Sequence, residues 1–141
     1  MPDTYVELQD IPVMRVRADM KGKGPPEAFE LLESKLQTLR GRRFYGVYRM
    51  TPEGEEYYAC VARIETDDPE RMKLETAMIH GGRFVRRKVQ DWERVIREGR
   101  LPGLFQEMIE AHIHEVGPER FSLEFYRSHD ELELLIPVED P

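Results

Sequence analysis

Glu124 stands in the run Phe121-Ser122-Leu123-Glu124-Phe125-Tyr126, an acid inside an otherwise apolar, β-prone segment. In an extended strand alternate side chains share a face, so Glu124 goes with Ser122 and Tyr126, while Leu123 and Phe125 go the other way. With Leu123 and Phe125 packed on helices, Glu124 and Tyr126 point into a groove. A carboxylate there attracts a cation whose body stacks on aromatic rings, and desolvation raises its pKa towards that of a working acid or base. If Glu124 orients water as general acid or base, with Tyr126 as its hydrogen-bond partner, the same pair makes a hydrolase. The competing reading is a solvated acid on the outer face of an edge strand.

The stacking walls of such a groove come from Tyr48, Tyr58, Trp92 and Tyr126, with Tyr45 and Tyr57 as further aromatics of the same strands. Each ring face presented to a cation contributes about 0.5–2 kcal/mol. Period two sends Tyr57 and Tyr58 to opposite faces. Tyr58, with Cys60 and Ala62, is preferred on the groove side, and the opposite parity stays open. Tyr48 shares a face with Gly46, whose missing side chain leaves room for a ligand or another backbone. His80 precedes Gly81-Gly82 and reads as a turn histidine. His112 and His114, two apart on a helix, point about 200° away from each other and cannot share a metal, so no metal site and no cofactor are assigned. Cys60 reads as a buried small hydrophobe. Arg83, Arg86, Arg87 and Lys88 read as a solvated strand, salt-bridged to acids of the first helix.

The elements that must position these residues follow from punctuation by Pro and Gly. Tyr5–Gln9 and Val13–Ala18 are two strands, or one strand broken at Pro12. Phe29, Leu32, Leu36 and Leu39 form the stripe of an amphipathic helix of about four turns that Gly41 stops. Phe44–Arg49 and Tyr57–Ile64 make a hairpin about Thr51–Gly54, and the polar stretch Thr66–Arg71 links two halves. Then the order begins again: strands Lys73–Met78 and Arg83–Val89 about Gly81-Gly82, then a helix capped by Asp91. Gly99 and Pro102 interrupt that helix, and its stripe resumes to Val116 before Gly117-Pro118. A closing hairpin of Arg120–Tyr126 and Leu132–Val138 ends the chain. Arg43-Phe44-Tyr45 before the first hairpin answers Arg120-Phe121-Ser122 before the last. The expected fold is α+β: two pseudo-symmetric β-β-α-β-β repeats, about 4–65 and 72–139, forming an antiparallel sheet with helices on one side and a central ligand groove in a single domain.

Composition narrows the classes of function. The 141 residues carry 28 acids and 21 bases, a formal net charge of −7, which disfavours nucleic-acid backbones and anionic membranes as partners. One cysteine excludes an internal disulfide and fits a reducing cytoplasm. No apolar run approaches the roughly 18 residues of a membrane span. The expected partner is a small molecule, and the expected state a monomer or homodimer.

The doubled β-β-α-β-β order, the segment Glu75-Thr76-Ala77-Met78-Ile79-His80-Gly81-Gly82-Arg83-Phe84, and Phe121–Tyr126 with Leu135-Ile136-Pro137-Val138 resemble the GyrI-like (gyrase-inhibitor-like) small-molecule-binding family. This family is also described as the bacterial transcription-activator effector-binding domain. The resemblance spans about Tyr5 to Val138. It implies a stand-alone domain that binds amphipathic, often cationic and aromatic compounds in a cleft between its halves, for sensing or sequestration, with Glu124 matching the family's pocket acid. It also implies two alternatives: a hydrolase of strained cyclopropane-containing toxic natural products, and an interaction domain for a large partner such as gyrase. At Met50-Thr51-Pro52 the chain departs from the family, whose members commonly carry an Asp beside that Pro.

Overall fold

The computed structural model describes residues 3–117 and 121–139; Pro118 and Arg120, named above, lie outside them. The strands are β1 (Thr4–Leu8), β2 (Ile11–Arg17), β3 (Phe44–Thr51), β4 (Gly54–Ala62), β5 (Glu75–Ile79), β6 (Gly82–Gln90), β7 (Phe121–Tyr126) and β8 (Glu131–Pro137). The helices are α1 (Pro25–Ser34), α2 (Pro69–Met72), α3 (Trp92–Arg97) and α4 (Leu101–Ala111). All eight strands join one antiparallel sheet, curled into a half-barrel, in the order β1-β6-β8-β7-β3-β4-β2-β5. Along the chain the β-β-α-β-β order runs twice, with α2 between the units and two helices in the second, and the units meet in the sheet where β3 pairs β7, Gly46 opposite Glu124.

The first strand of each unit is exchanged. β1 pairs with β6 and β5 with β2, so each half is edged by a strand from the other. The two bends that permit this cross at close quarters, where the amide of Gly81 donates to Asp10 Oδ1 at 2.7 Å. A Cβ on Gly81 would fall 2.2 Å from the Leu8 carbonyl oxygen, which is why glycine stands there. The break between β1 and β2 is thus at Gln9-Asp10, not at Pro12. Pro12 sits near the start of β2, and its carbonyl accepts the amide of Arg63 at 2.9 Å.

Two of the three apolar clusters lie on the helix side of the sheet. Under α1 pack Met14, Leu32, Tyr57, Ala59 and Val61, and under α3 and α4 pack Val85, Val95, Met108, Leu132 and Leu134. The third, with Val13, Tyr45, Cys60, Phe84, Leu123 and Leu135, fills the opposite, helix-free face. α1 is shorter than its stripe predicts. Beyond Ser34 the amides of Lys35 and Leu36 bond three residues back, to Leu32 and Glu33, which tightens and ends the helix and leaves Leu39 exposed. The second helical stripe divides at Gly99 (φ +69°) and stops at Ala111, and Val116 instead forms a bridge with Val138. Asp91 lies in the left-handed region and makes no side-chain cap.

The three arginines of the basic run of β6 have partners, but not in α1. Arg87 holds Asp3 and Glu107, Arg86 approaches Glu133, and Arg83 lies over the Tyr5 ring. A buried ion pair fastens the loops after α1 and β4, Arg42 donating to both carboxylate oxygens of Asp67 at 2.8 and 2.9 Å, with both side chains about 5% exposed. Asp67→Ala strands that guanidinium and should cost about 3–5 kcal/mol, measured by urea unfolding. Arg42→Met with Asp67→Leu should recover most of it.

Candidate functional site

Strand alternation carries Glu124 and Tyr126 to one face and Leu123 and Phe125 to the other, but the helices lie on the Glu124 face. Glu124 thus lies not in a groove away from the helices but buried beneath the seam between α1 and α3, over the middle of the sheet. Leu123 and Phe125 belong to the helix-free face, where Phe125 stacks on Tyr45 at 4.8 Å.

Glu124 is 6% exposed. The hydroxyls of Tyr57 and Tyr126 both donate to its Oε1, each at 2.6 Å. Among the described residues no Arg, Lys or His pairs with it. Burial pushes its pKa above the ordinary glutamate value, and the two tyrosine hydrogen bonds, which favour the carboxylate, only partly offset this. Burial raises both tyrosines as well, aided by the neighbouring carboxylate, so their hydroxyls stay protonated donors.

Rings close the site from above. Phe29 of α1 meets Tyr126 edge-on at 5.4 Å and Tyr57 at 6.2 Å, and Trp92 at the start of α3 meets Tyr126 at 5.1 Å. The Trp92 indole N–H donates to the Ser128 carbonyl at 2.9 Å, which anchors the ring to the last hairpin. The result is a buried acid under a row of four rings, arranged edge to face. Opposite Glu124, Gly46 supplies the space: a Cβ there would lie 1.9 Å from the Tyr57 hydroxyl and 2.6 Å from Glu124 Oε1. The room expected beside Gly46 is filled by the Tyr57–Glu124 hydrogen bond.

Of the residues singled out from sequence, Glu124, Tyr126, Trp92 and Tyr48 lie on this face, Tyr48 half-buried against the α1 cluster. Tyr58 does not. Its ring lies on the helix-free face beneath the Arg15 guanidinium, 3.8 Å from the ring centroid, and Tyr57 takes the inward place. Phe29 was not singled out, and the parity left open between Tyr57 and Tyr58 resolves to Tyr57. Hairpin register is the signal that finds Tyr57, since a turn pairing Thr51 with Gly54 sets Tyr48 opposite Tyr57 on one face. Cys60 is buried, its thiol pushed up to about 12, so it is no nucleophile at neutral pH. Among the described residues no group of three or more His, Cys, Asp and Glu side chains gathers as a metal site, and no helix is long and apolar enough to cross a membrane.

The chain matches no protein-family profile and no curated protein sequence. Solved structures do match it. SAV2435, solved bound to tetraphenylphosphonium, is 12% identical with a TM-score of 0.69, the match covering 99% of this chain and 94% of that one. The chain has its fold. The EcmrR C-terminal domain shares it too, at 11% identity and a TM-score of 0.60 over 99% of this chain and 98% of that one. So does a hydrolase from Listeria innocua, at 10% identity and a TM-score of 0.60 over 97% and 91%. At these identities the likeness is one of fold alone.

Away from this site, His112 joins β1 to the end of α4. Its two ring nitrogens face Asp3 at 3.0 Å and Glu115 at 2.9 Å, and the Tyr5 hydroxyl donates to Glu115. Burial pulls the imidazole pKa down, but the two carboxylates outweigh it and the net shift is upward. The stability this adds is fully present below about pH 6.5, the ordinary imidazole value, and is lost as pH rises through the raised value. Urea midpoints should therefore fall between pH 6 and pH 9. His112→Gln should flatten that decline, and an unchanged slope would refute the pairing.

Proposed function

We propose that this protein is a GyrI-like effector-binding domain that takes up amphipathic, cationic aromatic molecules over Glu124, to sense or sequester them. The observation that carries the reading is a buried carboxyl with no cationic partner among the described residues, under rings of Phe29, Tyr57, Trp92 and Tyr126. Such a group is costly when ionised without a counter-ion, and an organic cation supplies one while its apolar body replaces the ring-to-ring contacts. The ring contacts are edge-on and each is worth about 0.5–1.5 kcal/mol, so a ligand with several aromatic faces can displace them. Tetraphenylphosphonium, to which SAV2435 was solved bound, has this chemistry.

Trp92, the single tryptophan, reports on the site. Titration with tetraphenylphosphonium should change its fluorescence saturably at one molecule per chain, and neutral triphenylphosphine oxide should bind much more weakly. Equal binding of the two removes the role of Glu124. The hydrolase reading uses the same group, whose proton burial holds to higher pH than an ordinary glutamate's, as a general acid beside Tyr126, and its mark is a substrate consumed over many turnovers.

A further inference from the structure

We propose a second ligand site on the helix-free face of the sheet, suited to a medium-chain carboxylate. A cavity of about 60 Å³ opens there, with Val13, Val47, Cys60, Ile79 and Leu123 among its apolar walls and Arg15, Arg49 and His80 at its polar ones. No aspartate or glutamate lines it, although the chain as a whole carries seven more acids than bases. Arg49 is exposed and pairs with no acceptor among the described residues, and neither does His80. The acid opposite Arg49 in the hairpin, Glu56, accepts the Tyr58 hydroxyl at 3.3 Å instead. Arg15 is held in place from two sides, by Glu75 at 2.7 Å and by the Tyr58 ring.

A larger cleft of about 430 Å³ between β6, α3 and α4 makes the contrast. Two acids, Asp91 and Glu107, stand in its wall, and of its four basic side chains the three arginines are each paired with a carboxylate: Arg87 with Asp3 and Glu107, Arg94 and Arg100 with Glu98. In the smaller site no acid stands in the wall to answer Arg49. An anion at Arg49 completes it with charge-assisted hydrogen bonds, and the site is too small for more than a few carbons, so the rest of the chain runs out past Met78, which is 45% exposed. A carboxylate with an unbranched tail meets both demands. This face is separated from Glu124 by the sheet, and its preferred charge is opposite.

Octanoate, octanol and octylammonium are the probes, followed by backbone and methyl NMR of the whole chain. Octanoate should saturably shift Val47, Ala77, Ile79 and Leu123, with octanol and octylammonium about tenfold weaker or worse. Arg49→Gln should weaken octanoate about tenfold while leaving tetraphenylphosphonium binding at Trp92 unchanged, and Glu56→Gln, which removes the nearest competing acid, should strengthen it. Octanol binding as well as octanoate, shifts confined to the α1 side, or an Arg49→Gln protein that binds octanoate like the parent would each overturn the site.

Discussion

Tetraphenylphosphonium affinity should rise with pH and then level off, and Glu124→Gln should abolish both the rise and most of the affinity. In the free protein burial holds the proton on Glu124 to higher pH than an ordinary glutamate, despite the hydroxyls of Tyr57 and Tyr126. A bound cation favours the carboxylate, so below the raised pKa binding must expel that proton, and affinity climbs by up to about tenfold per pH unit. Above it the carboxylate is already formed and the curve flattens. Calorimetry in buffers of different ionisation enthalpy should show close to one proton released on the rising limb and none on the plateau. Removing one partner of a buried charge pair costs about 2–5 kcal/mol, so on the plateau Glu124→Gln should lose at least about thirtyfold in affinity. The unliganded fold responds with the opposite sign. The protonated acid contributes stability in full below about pH 4.5, and that contribution is lost as pH rises through the raised value, so Glu124→Gln should stabilise the empty protein at high pH. A parent protein whose affinity ignores pH, or a Gln variant that keeps the slope, would place the proton elsewhere.

Much of this site is legible in the chain, and its misreadings have physical causes. An acid between Leu123 and Phe125 in a strand must share their burial or face solvent, and burial prevails because α1 and α3 both lean over the middle of the sheet. The register of the first hairpin was also within reach: the pairing of Thr51 with Gly54 puts Tyr48, Gly46, Tyr57 and Ala59 on one face, which makes Tyr58 the outward residue. The side of the sheet on which the helices pack was not, since alternation gives two faces without saying which one is covered. Phe29 reads as one more member of a helical stripe, and only the docked helix shows that its edge meets Tyr57 and Tyr126. The exchange of β1 and β5 between halves depends on two bends crossing at Gly81, a contact between residues some 70 apart, and local pattern carries no trace of it. Glu133 escaped for a related reason. It is as buried as Glu124, but between Leu132 and Leu134 it points to the helix-free face, where Arg127 at 3.2 Å and Arg86 at 3.8 Å compensate its charge.

Gly46→Ala should be strongly destabilising. Its Cβ would be placed 1.9 Å from the Tyr57 hydroxyl oxygen, 2.7 Å from Tyr57 Cζ and 2.6 Å from Glu124 Oε1. The strand cannot retreat, because β3 is paired along its length with β4 on one side and β7 on the other. The tyrosine cannot swing aside without breaking its hydrogen bond and leaving the carboxyl with one donor, and Phe29 lies against its ring. Overpacking of a core ordinarily costs about 1–3 kcal/mol, and the added loss of a buried hydrogen bond takes the expected destabilisation to about 3–5 kcal/mol. Because the clash has one principal partner, a double-mutant cycle isolates it. Tyr57→Ala alone opens a cavity and is itself costly, but in its presence Gly46→Ala should cost far less than in the parent, a coupling of about 2 kcal/mol or more. Tyr57→Phe, which removes the hydroxyl but keeps Cζ, should relieve only part of the clash. It should also raise the Glu124 pKa further, by taking away a donor that favours the carboxylate, and so move the rising limb of cation affinity to higher pH. Additive costs in the Gly46 and Tyr57 cycle would mean that the ring does not occupy the glycine's space.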